Sequence, residues 1–157
     1  MGLFNKKSDI VFKKATIDDV AEFLRIEKSV AGSKTYCGSV DEQEAREEIE
    51  NNIVYFIQNK ETNIGTIEYK IKGENYAYLS GLVVDPNFQG RGIGRKALRW
   101  LLANDLKNFK RVDLATHPHN TRAIMLYLSL GFVIESWKDN YYGDGEPRIV
   151  LAREKQD

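Results

Sequence analysis

Along the chain, the period of apolar positions changes repeatedly, and each change marks an element. Alternation and short runs of β-formers predict strands at "IVFKKA" (10–15), "IVYFIQ" (53–58), "IGTIEYKI" (64–71), "YAYLSGLVV" (76–84) and "RVDLAT" (111–116). "FVIESWK" (132–138) and "PRIVLAR" (147–153) complete the strands. Spacings of three and four predict helices. The first carries Val20, Phe23, Leu24 and Ile26 behind a cap at Thr16 or Asp18, and the second is the acidic "VDEQEAREEIEN" (40–51). A third carries Ile93, Ala97, Leu98, Leu101 and Leu102 and runs to about Lys107. A fourth starts at Asn120 or Thr121 and stops before Gly131, a C′ glycine. "KGEN" (72–75) reads as a hairpin connection. The order β-α-α-β-β-β-α-β-α-β-β predicts an α/β (α+β) fold, a mixed sheet flanked by helices. Met1–Ser8 reads as a flexible end before a single domain over residues 9–155.

Composition narrows the function. Lys plus Arg and Asp plus Glu are 23 each, so no global field draws nucleic acid or anionic lipid, and neither is expected as a partner. Cys37 is the one cysteine, which excludes an internal disulfide and fits a reducing compartment. With His117 and His119 as the remaining soft ligands, no metal site is expected. No apolar run reaches the ~18 residues of a membrane span. The start "MGLFNKKSD" lacks a leader's apolar stretch, and Lys6 breaks the myristoylation pattern. A cytoplasmic location is the expectation.

The chemistry gathers at "VVDPNFQGRGIGRKALRWLL" (83–102). Gly90, Gly92 and Gly94 alternate inside a basic turn that opens the third helix, so main-chain donors can face outward and a ligand can approach closely. Amides at a helix start favour an anion, and Arg91, Arg95 and Lys96 add positive charge. The pattern reads as a phosphate cradle. Arg95 stands where both the P-loop and the dinucleotide fingerprint require glycine, so neither applies.

"LVVDPNFQGRGIG" (82–94) followed by "HNTRAIMLYLSLGF" (119–132) closely resembles the GNAT superfamily of acetyl-CoA-dependent N-acetyltransferases. Gln89, Arg91 between Gly90 and Gly92, and Gly94 match that family's Q/R-x-x-G-x-G/A turn. Asn120, Tyr127, Gly131 and Phe132 match its later motif. The resemblance implies a mostly antiparallel sheet of about seven strands with four helices, splayed between strands four and five. It implies acetyl-CoA as co-substrate, with no metal. The backbone of Leu82, Val83 and Val84 would pair with the pantetheine arm, and the amides from Gly90 through Ile93 to Arg95 would hold the diphosphate. Asn120 would contact the arm, Ala123 would leave it room, and Tyr127 would face the coenzyme sulfur as acid.

The base is harder to identify. Histone-acetylating relatives place a Glu where this chain has Tyr78, arylalkylamine-type relatives place histidines at Tyr78 and Ser80, and ribosomal-protein N-terminal acetyltransferases place a Glu at Ala115. Tyr78 and Ser80 remain candidates for a water relay. Glu68 is a candidate base, although a hairpin centred on Gly73–Glu74 sets it across from Leu79, on the face opposite Tyr78 and Ser80. His117 and His119 read as loop histidines. Without a direct base, an α-amine of pKa ~7.7–8.0 is an easier nucleophile than a lysine-like amine at ~10.4.

Two segments bear on the acceptor. "DNYYGDGEP" (139–147) resembles the tyrosine pair of protein N-terminal acetyltransferases, so Tyr141 or Tyr142 would border a peptide channel; a plain hairpin is the alternative. The acidic stretch 41–50 would attract a cationic amine, or is a solvated face. The resulting reading is direct acetyl transfer in a ternary complex to an amine-bearing acceptor, either a protein N-terminus or a small amine such as a polyamine. A non-catalytic acyl-CoA-binding regulatory module is the alternative of another class. Monomer and homodimer both stay open.

Overall fold

The computed structural model describes residues 9–33, 35, 36 and 38–156, so the expected flexible segment 1–8 and Cys37 lie outside the described residues. The elements are β1 Ile10–Lys14, α1 Val20–Ser29, α2 Glu42–Asn51, β2 Ile53–Asn59, β3 Thr62–Gly73, β4 Tyr76–Val84, α3 Ile93–Ala103, β5 Arg111–Thr116, α4 Thr121–Ser129, β6 Val133–Lys138 and β7 Arg148–Glu154. Short 3₁₀ turns at Ile17–Asp19 and Pro86–Phe88 precede α1 and α3. The seven strands form one sheet in the order β1-β2-β3-β4-β5-β7-β6. Every neighbouring pair is antiparallel except β4 with β5. Among the described residues, no helix is long and apolar enough to cross a membrane, and no group of three or more His, Cys, Asp or Glu is arranged to hold a metal.

The parallel pair is short. β4 and β5 bond only from Tyr76↔Arg111 to Tyr78↔Asp113. Beyond that point β4 follows β3 to Val84↔Gly65, while β5 follows β7 to Thr116↔Ile149, and a wedge opens between them. The sheet is therefore mixed, mostly antiparallel and splayed between the fourth and fifth strands.

A bulge in β4 accompanies the splay. Tyr69 pairs with Leu79 but Glu68 pairs with Gly81, leaving Ser80 as the extra residue. A bulge bends its strand and reverses the phase of side chains beyond it. Ala77 and Leu79 accordingly join the core under α3 and α4, whereas Val83, which unbroken alternation would put with them, joins the core under α1 and α2. The same irregularity overturns the expected position of Glu68. It faces Gly81 rather than Leu79, on the same side of the sheet as Ser80.

α3 stops at Ala103, short of Lys107: the Trp100 carbonyl accepts both the Asn104 amide at 3.0 Å and its side-chain Nδ2 at 2.8 Å, and Asn104 itself leaves the helical conformation with ψ −88°. Leu106 still reaches the core through a turn, so the apolar period outlasts the helix. α4 ends in a Schellman motif. The Gly131 amide donates to Leu128 O at 3.2 Å, the Phe132 amide donates to Tyr127 O at 3.1 Å, and Gly131 takes φ 91°. The Phe132 ring packs against the Tyr127 ring, centroids 5.8 Å apart, which fixes the tyrosine at the mouth of the wedge.

Candidate active site

A groove of about 450 Å³ runs from the open edge of β4 to the starts of α3 and α4. It collects Leu82, Val84, Gln89, Gly90, Gly92, Ile93, Gly94, Arg95, Asn120, Ala123 and Tyr127. Val83 and Arg91 are not among its lining residues. The alternation of β4 explains Val83. Its carbonyl points at β3, where a Cβ on Gly65 would sit 2.4 Å away, and Asp85 N donates to Ile64 O at 2.8 Å on the same side. The main chain of Leu82 and Val84 faces the wedge instead, and Val84 O accepts Gln89 Nε2 at 2.9 Å. Arg91 turns back to the Asn87 carbonyl at 3.2 Å and lies over the Phe88 ring.

Gly90 and Gly92 have φ of 77° and 76°, and a Cβ on either would meet nothing within 4 Å. Backbone conformation, rather than crowding, is what calls for glycine there. Gly94 is helical, and a Cβ on it would make ordinary contacts with Leu82 and Leu126 at 3.7 Å. The first internal bond of α3 is Lys96 N to Gly92 O at 3.1 Å, and no side chain caps this end. The amides from Gly92 to Arg95 therefore have no partner within the helix and suit an anion. Arg95 is anchored on Ser129 Oγ at 2.7 Å. Asn120 is the N-cap of α4 by position, but its side chain caps nothing and reaches Thr116 Oγ1 at 3.5 Å.

Tyr127 also lines a second space. A chamber of about 120 Å³ lies on its other side, towards α1 and α2, and Ala115, Ser80, Asn120 and Tyr142 share its wall. An outer cavity of about 470 Å³ adjoins it, and the two share Gly38, Glu48, Ser80 and Tyr142. Tyr78 borders the outer cavity, and its hydroxyl lies 2.8 Å from that of Tyr142. Tyr141 packs edge-on against Tyr142 and lines neither space.

Three carboxyls from three elements meet in the chamber: Glu27 of α1, Glu48 of α2 and Glu68 of β3. Glu27 and Glu68 are each 4% exposed. Burial is the main cause that lifts Glu27 to about pH 7, while a hydrogen bond from the Tyr36 hydroxyl pulls the other way. Burial also drives Glu68 well above the carboxylate range, and its hydrogen-bonded neighbour Glu48 adds to the rise. Glycines make room for these groups. A Cβ on Gly81 would lie 2.6 Å from Glu68 Oε1, and one on Gly38 would lie 2.6 Å from Glu27 Oε2. The Ser80 hydroxyl is buried and has no hydrogen-bond partner among the described residues.

The hydroxyls remain neutral. Burial lifts Tyr127 to about 12, helped by Tyr142, and burial likewise raises Tyr78 strongly. His117 lies in the loop after β5, as expected, but it is buried: it is 1% exposed, Nδ1 accepts the His119 amide at 3.1 Å, and Nε2 lies 2.9 Å from Glu146. Both ring nitrogens are engaged, so its role is to hold the β6–β7 loop. Arg148 does the same through Asp144 at 2.7 Å.

Sequence reasoning passed over Glu27, Glu48, Tyr36 and Arg148. Glu27 did carry a signal: it sits beside Ile26 and four residues after Phe23, on the apolar stripe of α1, where an unpaired charge is costly.

A family model described as "Acetyltransferase (GNAT) family" matches residues 19–132. The [ribosomal protein bS18]-alanine N-acetyltransferase of Salmonella typhimurium is 39% identical over 80 residues, 48% of this chain and 54% of that protein. The N-alpha-acetyltransferase RimI of Mycobacterium tuberculosis is 44% identical over 75 residues, 47% of this chain and 46% of that one. The matches thus span about half the length of these relatives. A GNAT family acetyltransferase from Elizabethkingia anophelis, solved with acetyl-CoA bound, superposes with a TM-score of 0.72 at 18% identity, covering 95% of this chain and 100% of its own.

Proposed function

The chain belongs to the GNAT acetyltransferase family, and from that premise we propose that it transfers an acetyl group from acetyl-CoA directly to a primary amine held in the same complex. The observation that carries this reading is the place of Tyr127 on the wall common to the groove and the chamber. Acetyl-CoA supplies an activated acetyl thioester. The groove suits it: uncapped amides at Gly92–Arg95 meet the diphosphate, and the main chain of Leu82 and Val84 offers an edge to the pantetheine arm beside Asn120 and Ala123.

Tyr127 serves the leaving sulfur. Burial holds its hydroxyl near 12, above a thiol's ordinary ~8.5, so full proton transfer is uphill. Tyr127 therefore donates a hydrogen bond to the developing thiolate and keeps its proton, and solvent completes the protonation.

Glu68 serves the amine. Ala115 lines the chamber without a basic group, whereas Glu68 enters the same chamber from β3. A cationic acceptor beside it favours the ionised carboxyl, so the base is generated as the acceptor arrives. Its raised proton affinity then suits it to take the ammonium proton. Ser80, with an unpartnered hydroxyl in the same wall, and Tyr78 behind it provide the relay to the outer cavity.

The names of the bS18-alanine and N-alpha relatives support a protein α-amine as acceptor. Tyr142, lining both acceptor spaces, is the residue to border the entering chain. The test is thiol release from acetyl-CoA with a panel of short peptides beside spermidine. Turnover of peptides with free α-amines, abolished by N-terminal blocking, is the expected result. Inert peptides beside rapid spermidine turnover would replace the acceptor, and no calorimetric binding of coenzyme A would end the transferase reading.

A further inference from the structure

The chemistry above uses the outer cavity only as the acceptor's approach and the end of the proton relay, and leaves its acidic wall unexplained. Its α2 wall carries Glu44, Glu47 and Glu48, and Lys70 is the one cation among its described lining residues. In the chamber the cation is Arg148, already committed to Asp144 at 2.7 Å, and His117 is engaged on both nitrogens. Glu44 accepts the Val40 amide at 3.0 Å and Glu47 accepts Gln43 Nε2 at 3.1 Å. Each bond uses a fraction of a carboxylate's acceptor capacity. Arg46, on the same helix, is drawn to Glu42 at 3.6 Å, and neither lines the cavity.

A second observation points to a ligand. Ser39 is 1% exposed, its Oγ has no hydrogen-bond partner among the described residues, and it lines this cavity beside Glu44 and Glu48. A buried hydroxyl left without a partner is uncommon, because leaving it so costs stability. Carboxylates crowded on one wall repel one another until a cation joins them. The outer cavity opens onto the chamber past Gly38, Glu48, Ser80 and Tyr142, so one slim molecule can occupy both.

We infer that the acceptor carries a second positive charge besides the reacting amine, seated in the outer cavity against Glu44 and Glu47 with the Ser39 hydroxyl beside it. The inference rests on the reading that the chamber takes the acceptor amine. Two sources share this chemistry: a short aliphatic diamine, and a peptide whose second residue is Lys or Arg.

Calorimetry on the coenzyme A-loaded protein tests it without requiring turnover. Putrescine is compared with butylamine, and an Ala-Lys peptide with its Ala-Gln counterpart. At least one pair is expected to favour the dication by about tenfold, and which pair does so identifies the source. The preference should fall to about threefold or less in Glu44→Gln/Glu47→Gln, where glutamine at 44 retains an acceptor for Val40. In the parent it should shrink as salt rises from about 50 to 500 mM, which decides the matter even if the double variant folds poorly. Equal affinities within both pairs, or a preference indifferent to the variant and to salt, would overturn the inference. Absence of thiol release with these amines would count against the transferase reading, while the affinity ratios still judge the charge site.

Discussion

Glu68 and Gly81 face each other across the β3–β4 ladder, and the carboxyl occupies the space a side chain on Gly81 would need. In Gly81→Ala the new methyl would stand 2.6 Å from Glu68 Oε1. The carboxyl has to move, and displacement of a reacting group by an ångström costs roughly 10²-fold in rate. We expect kcat/KM for the amine to drop by about that factor while coenzyme A affinity, measured by calorimetry, holds.

Glu68→Gln keeps the shape and removes the proposed base. Loss of a general base lowers kcat/KM by roughly 10²–10⁴. A carboxyl acts as base only when ionised, and burial raises this one. The parent's rate should therefore climb with pH well above the ordinary carboxylate range of ~4.3, and the variant's profile should lose that limb.

Glu27 makes stability depend on pH. Its folded-state pKa is raised to about 7 from 4.5, so the folded state binds more protons than the unfolded one between those values. Its contribution is fully present below pH ~4.5, fades as pH rises through 7, and amounts to about 3 kcal/mol. Thermal melts of the parent should lose stability from pH 5 to 8, and those of Glu27→Gln should be flatter.

Tyr127→Phe deletes a buried hydroxyl and leaves the ring against Phe132. Pre-steady-state kinetics should show the acetyl-transfer step slowed by roughly 10²–10³-fold. Binding of acetyl-CoA and the melting temperature should change little.

The hydroxyls of Tyr78 and Tyr142, 2.8 Å apart, tie the β6–β7 loop to β4. A double-mutant cycle with both Tyr→Phe changes should return a coupling of about 1 kcal/mol in folding stability. KM for the acceptor should rise more than KM for acetyl-CoA.

What could be seen in the sequence was local. Tyr127, Gly131 and Phe132 lie within six residues of one another, and their spacing is that of a Schellman motif closing on its own helix. Gly90 and Gly92 likewise reported a backbone conformation set within one turn. Most strands showed because they bury one face or both, which writes a period into the chain; β6, exposed along nearly its whole length, showed through its run of β-formers instead. Glu68 was misplaced for the converse reason. The bulge at Ser80 shifts register by one residue, and the adjacent Gly81, an isolated glycine inside a strand pattern, was the one local sign of it. The carboxyl chamber was invisible as a unit, since residues 27, 48 and 68 come from three elements and meet only through packing. α3 was drawn too long because Leu106 continues the apolar rhythm through a turn, after the backbone has left the helix at Asn104.

The early parting of β4 and β5 has an evolutionary corollary. The proposed coenzyme groove is built from α3, α4 and one strand edge, whereas the outer cavity is lined by α2, the segment around Ser39 and the β6–β7 loop together with β3 and β4. On the proposed reading, mutations in α2, around Ser39 or in the β6–β7 loop would redirect which nucleophile is accepted without disturbing how the donor is gripped. The scaffold is thereby free to diversify on one flank while the other stays under constraint.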